Sequence, residues 1–297
     1  MQRRAFLALT AGFGLLAGLQ GSATPVPPAG LLSDVVWTMD DPRFGGFSAI
    51  EVQPDGLGFV ALSDKGAFVR GRFERDGEGR IVRITASPPV PLKGQGEEPL
   101  RPGRTDSEGL AMAPDGSAWV SFEGPARVLR YARLNGPAEN LPSPPEFARM
   151  QANSALEALA VGPDGTLYTL PERSGGEKRP FPVYRFRNGK WDHDLSIPRS
   201  GGYLAVAADI GPDGRFYLLE RQFRGLAGFS TRLRRFDLGK TLTGETTLLQ
   251  TPVGLHANLE GMSVWRDSAG RLTATLIADD GFSFLFATRI IEYRLHD

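Results

Sequence analysis

Apolar residues in this chain come in short runs, and Gly, Pro, Asn and Asp stand at the ends of those runs. A helical period is scarce after the N-terminal segment, so the pattern predicts β-strands joined by tight turns and an all-β fold. One arrangement recurs. An apolar run, a Pro-Asp-Gly turn and a second apolar run appear at 47–66 (FSAIEVQPDGLGFVALSDKG), 106–124, 153–173 and 203–221. A fifth copy at 258–281 carries Arg266-Asp267 in the turn slot. The turn has a mechanism: Pro presets φ, Asp bonds back to the backbone and Gly takes positive φ.

The turn prolines are Pro54, Pro114, Pro163 and Pro212, so the repeat is about 49–60 residues long. Repeats of this size, each holding several short strands, are the mark of a β-propeller. Strand-like runs at 127–134, 182–189 and 231–238 follow at the right place for outer strands. Two further pieces, LSDVVWTM at 32–39 and the C-terminal ATRIIEYRLHD, lie outside the five copies. A sixth blade shared between the chain ends uses both, which predicts a six-bladed ring closed by N- and C-terminal strands. The interval 66–105 and the Pro-rich 140–150 are then insertions. A β-sandwich is the competing fold and leaves the repeat unexplained.

Acidic residues fall in register with the repeat. Six residues before each turn position stand Ser48, Glu108, Glu157, Val206 and Glu260, and three before it stand Glu51, Ala111, Ala160, Asp209 and Ser263. Equivalent inner-strand positions share one height around a propeller axis, so Glu108, Glu157 and Glu260 are expected to converge at the channel mouth and are the candidate metal ligands. A second tier ends the following strand: Asp64, Glu123, Glu172, Glu220 and Asp279. Converging carboxylates need compensation. A hard cation with oxygen ligands, Ca²⁺ above all, is one source. Arginines beside the acids, Arg173 and Arg221, are the other. The bland alternative is that these acids only bond backbone N–H groups where blades meet.

The quoted hairpins, with Glu108-Gly109, Leu156-Glu157-Ala158, Leu219-Glu220-Arg221 and Leu259-Glu260-Gly261, resemble the phytase-like propeller family with esterase-like activity. The resemblance runs from about Gly45 to Arg294. It implies a secreted propeller and an ester or phosphoester hydrolase. Ala158 stands where Gly is usual, and no Lys- and Arg-lined phosphate cleft is evident as a motif, which argues against phytate as substrate.

The chain of 297 residues has 34 basic and 34 acidic side chains, and this balance gives no general attraction to nucleic acid. With no cysteine, disulfides and thiolate chemistry are excluded, and three scattered histidines make a poor zinc site. No Gly-x-Ser-x-Gly elbow, phosphate-binding loop or His-Glu-x-x-His is present. Residues 1–23 have the layout of a bacterial export signal, with Arg3-Arg4-Ala5-Phe6-Leu7 resembling the twin-arginine motif; Gln2 and Ala8 depart from its flanks. Cleavage near Ala23 leaves a lead-in to about residue 31 and a single propeller domain over 32–297, periplasmic or secreted, with no stable membrane insertion.

Two readings follow. In the first, Ca²⁺ held by Glu108, Glu157 and Glu260 serves a hydrolase, with Glu220, Asp279 or His256 in acid–base roles and Arg173 and Arg221 binding an anionic small-molecule ester; a metal-dependent lactonase is a variant. In the second, the propeller binds a ligand or partner without catalysis. Substrate identity and oligomeric state are not encoded in any motif.

Overall fold

A computed structural model describes Pro28 and residues 30–151, 154–283 and 286–296. The expected export signal lies outside the described residues. Among them, no helix is long and apolar enough to cross a membrane.

The strands form five antiparallel sheets, the blades of a propeller. Blades 1 to 5 have as innermost strands Phe47–Val52, Ser107–Met112, Leu156–Val161, Leu204–Ile210 and Asn258–Arg266. The strand after each turn comes next: Gly58–Ser63, Ala118–Phe122, Leu167–Pro171, Phe216–Phe223 and Leu272–Asp279. The turns form as their residues dictate. Gly56, Gly116, Gly165, Gly214 and Gly270 all have positive φ. Asp55 and Asp115 accept backbone N–H groups two residues on at 2.8 and 2.9 Å.

The ring has five blades, which corrects the expected six. The two terminal pieces do not make a blade of their own. Arg289–Arg294 is the third strand of blade 5 and Leu31–Val36 pairs with it as the fourth. Among the described residues no hydrogen-bonded ladder runs from one blade to the next, so the ring itself is not closed by strand pairing. Apolar packing joins the blades instead. Leu62, Phe68 and Val120 fill the gap between blades 1 and 2, and Trp37, Phe47, Trp265 and Ile277 fill the gap between 5 and 1. Burying large apolar side chains contributes roughly 1.5–3 kcal/mol each. The interval 66–105 is also more than an insertion: Ala67–Arg75 and Ile81–Ala86 are the outer strands of blade 1.

Each innermost strand slips register near its start. The slips fall at Phe47/Ala49, Ser107/Leu110, Leu156/Ala158, Ala205/Ala207 and Leu259/Gly261. A bulge inserts an unpaired residue and re-aims its side chain. The residues in these bulges are Ser48, Glu108, Glu157, Val206 and Glu260, the same positions that the repeat places in register. Room for the bulge comes from the next residue. A Cβ on Gly109 would lie 2.7 Å from the Glu157 carbonyl oxygen of blade 3, and one on Gly261 would lie 2.7 Å from Ala49 Cα of blade 1.

Candidate functional site at the channel mouth

The bulges gather Glu108, Glu157 and Glu260 at one end of the channel. Burial and the charges of Glu260, Glu123 and Asp106 push the Glu108 carboxyl well above the usual carboxylate range. Burial and the charges of Glu108 and Glu123 do the same to Glu157. The three expected ligands are therefore electrostatic neighbours, although each has a different immediate partner.

Among the described residues, Asp106, Glu108 and Glu123 form an oxygen cluster whose ligand atoms lie within 4.8 Å of one another. Asp106 and Glu123 face each other across the blade 2 hairpin, where the Glu123 N–H donates to the Asp106 carbonyl at 3.0 Å. Glu123 also accepts the Ala155 N–H at 3.1 Å. Its carboxyl adjoins that of Glu157, and burial raises the pKa of both, which favours a proton held between them. Of the three expected ligands, Glu108 alone belongs to this cluster. Glu157 adjoins it through Glu123, and Glu260 is held by Arg221. The expectation did not name Asp106 or Glu123 as ligands, although Asp106 opens the second hairpin and Glu123 closes it.

Arg221 reaches into the mouth and donates to Glu260, Asn258 and, at 3.4 Å, Glu172. Burial disfavours its charge, but Glu260, Glu157 and Glu172 outweigh burial and hold it more firmly protonated than an ordinary arginine. Arg173 lies at the rim, its side chain 53% exposed, and its Nε donates to Ser154 at 3.0 Å and Glu172 at 3.2 Å. Asp279 closes the mouth on the blade 5 side. Burial and the Glu260 charge raise its pKa to about 7, opposed by the Gly281 N–H, which donates to it at 2.7 Å. Such a group exchanges a proton near neutrality.

Two expected catalytic residues stand elsewhere. Glu220 is fully buried and clamped by Arg232 and Arg234 at 2.7–3.1 Å, so both its oxygens are committed to arginine. It anchors blade 4 and has no access to a substrate. His256 is buried, and its Nε2 lies 2.6 Å from the Tyr293 hydroxyl. Burial lowers its pKa, and the charges that act on it are Asp34 and Arg289 of the outer strands, not the mouth carboxylates.

Below the mouth the channel is filled. Ser48, Leu110, Leu159, Val206 and Met262 close around a void of about 10 Å³, room for about one water. At the far end Glu51 and Asp209 form a second acid pair. Burial and the Asp209 charge push Glu51 well up, and burial raises Asp209 to about 6. Glu51 accepts the Met112 N–H at 3.2 Å and Asp209 accepts the Val264 N–H at 2.6 Å, so these acids tie blades 1, 2, 4 and 5 together.

Comparison with solved structures shows the same fold at low sequence identity. A calcium-binding protein, regucalcin, from Agrobacterium tumefaciens superposes with a TM-score of 0.53 at 15% identity, over 92% of this chain and 96% of that one. An α-L-arabinofuranosidase from Podospora anserina superposes with a TM-score of 0.54 at 12% identity, over 90% and 97%. Comparison with curated protein sequences gave no match. Residues 42–282 match the phytase-like family, described as having the esterase-like activity of phytase. The bulge glutamates and the hairpin acids that ring the mouth all lie within that match, and the chain belongs to the phytase-like family.

Proposed function

We propose that the protein is an exported hydrolase of an ester or phosphoester bond that works at the channel mouth with a bound Ca²⁺. The observation that carries this reading is the Asp106–Glu108–Glu123 cluster, three carboxylates within 4.8 Å of one another. Arg221, the cation that reaches into this ring, is already engaged by Glu260 and Glu172. The donor set fits the ion: Ca²⁺ takes roughly six to eight oxygen ligands at 2.3–2.6 Å, carboxylates foremost. Asp106, Glu108 and Glu123 would hold it. Bound there, it would polarise the carbonyl or phosphoryl oxygen of the scissile bond.

The chain's own groups supply the rest. Asp279, poised near neutral pH, accepts a proton from the attacking water or returns it to the leaving group. Arg221 faces charge that develops at the reacting centre, and Arg173 at the rim orients an anionic part of the substrate. Glu157 and Glu123 hold one proton between them, and binding of a cation displaces it.

A second reading, a ligand-binding propeller without turnover, is favoured by the same Arg221 pairing and shared proton, because these relieve part of the repulsion without any metal. A thermal melt in EDTA and across a Ca²⁺ titration, followed by a screen of 4-nitrophenyl esters and phosphates, separates the readings. The hydrolase predicts a saturable Ca²⁺-dependent rise in Tm that is lost in Glu123→Gln, and turnover that is lost in Asp279→Asn. No shift at millimolar Ca²⁺ overturns the metal-dependent mechanism. A Ca²⁺ shift without turnover leaves the binding propeller.

A further inference from the structure

A second concave site lies beside the mouth, on the outer flank of blade 3. It has a volume of about 570 Å³, within the ordinary size of small-molecule sites. Its walls are Glu146, Arg149, Met150, Gln151 and Ser154, the 171–180 loop and the outer strands Phe181–Arg187 and Lys190–Ile197. The floor is apolar: Met150, Pro182, Tyr184 and Leu195. Arginines 149, 173 and 179 stand around it, against the single carboxylate of Glu146.

Arg149 and Arg179 carry charge that no carboxylate among the described residues matches, unlike several of the surface arginines. Arg80, Arg83, Arg215 and Arg271 each meet a carboxylate of the same loop or hairpin. Arg149 and Arg179 have no ion-pair partner among the described residues, and both are exposed. Unpaired guanidinium groups around an apolar hollow make a site for an anion that carries an apolar body. Arg173 marks the boundary with the mouth, since it touches Glu172 on one side and lines the hollow on the other.

The geometry points to a binding site for an amphiphilic anion, a phosphate or carboxylate group on an aryl or acyl body, with the head group held by Arg149 and Arg179 and the body on Tyr184 and Leu195. Guanidinium groups bind both head groups by paired N–H donors. Neither group needs to be cleaved for the site to serve, so binding here is separate from turnover at the mouth.

The test is calorimetric titration of the mature protein with 1-naphthylphosphonate and 1-naphthoate, which offer no ester to hydrolyse, and with the neutral 1-naphthalenemethanol. The expected result is saturable one-to-one binding of at least one anion, about tenfold tighter than the alcohol. Arg149→Ala/Arg179→Ala should weaken the anion about tenfold or more and leave the alcohol and the melting temperature unchanged. The ratio between the two anions identifies the preferred head group. No saturation at millimolar probe, equal binding of anion and alcohol, or full affinity in the double variant would each overturn the assignment. The readout is binding, so its failure is distinguishable from failure of the hydrolase reading.

Discussion

Blades 3 and 4 resolve the same two positions in opposite ways. Blade 3 places Glu157 in its bulge and Glu172 at the end of the next strand. Blade 4 places Val206 in its bulge and Arg221 at the strand end. The pairing registers are equivalent: Leu156 faces Pro171 and Ala205 faces Glu220, so the following residues, Glu172 and Arg221, correspond. One blade adds acid to the mouth and the other adds its cation. Glu220, one residue earlier, points to the opposite face because strand side chains alternate, and there it meets Arg232 and Arg234. Two buried acids in one molecule are thus treated differently. Glu220 is matched by arginine, whereas Glu157 is surrounded by more acid.

The sharpest way to break this comparison is to neutralise each acid. Glu220→Ala leaves buried Arg232 without an ion pair and Arg234 with Glu245 alone, and should cost about 3–5 kcal/mol in urea unfolding. Glu157→Gln should cost nothing measurable in EDTA, or should stabilise, because it removes a charge from a repulsive cluster. Equal losses at both sites would mean that the mouth acids are as fully compensated as Glu220. Next in size, Arg221→Gln leaves Glu260 without a cation and Glu172 with Arg173 alone, and should lower stability in EDTA by about 2 kcal/mol. Saturating Ca²⁺ should restore most of that loss. A deficit that persists in Ca²⁺ would show that the arginine and the ion do not compensate the same charge.

Gly109→Ala tests whether the bulge aims Glu108. The added methyl meets the blade 3 backbone, and a loss of about 1–3 kcal/mol, with a weaker Ca²⁺ shift, is expected in melts. The remaining test is pH. Asp279 titrates at about 7 and Asp209 at about 6 in the fold, against 3.8 for an ordinary aspartate. A raised carboxyl pKa means that the fold disfavours the ionised form. That contribution to stability is fully present below about pH 4 and is lost as pH rises through 6 and 7. In EDTA the protein should therefore melt higher at pH 5 than at pH 8, and Asp279→Asn should flatten the slope. In Ca²⁺ the trend should weaken or reverse, because protons compete with the ion.

Much of this was legible from the repeat. The Pro-Asp-Gly turns of four blades and the Arg266-Asp267 turn of the fifth located the two innermost strands of each, and counting back from them found the residue in each bulge. The blade number was not legible, because two strands left at the chain ends look alike whether they start a blade or finish one. Glu220 was misplaced by a residue type that drew the eye to the wrong register. Arg221 follows Pro212 by the same nine residues that separate Glu123 from Pro114 and Glu172 from Pro163, and that count was available. His256 is four residues from Glu260 in sequence, but the bulged strand and its lead-in carry its ring to Tyr293 instead of the mouth. The cleft on blade 3 had no sequence signal, since its arginines come from separate loops that only the fold brings together.

The fourth strand of blade 5 is Leu31–Val36, at the other end of the chain from its partner Arg289–Arg294. A ribosome makes the first of these strands long before the second. Until Arg289–Arg294 is made the early strand has no mate, and Trp37 beside it has no complete interface to fill. The ring therefore cannot be assembled blade by blade and left finished at each stage; closing it joins a strand made early to one made much later. Closing so long a loop is a slow step, and an incomplete chain keeps an open sheet edge available to neighbours.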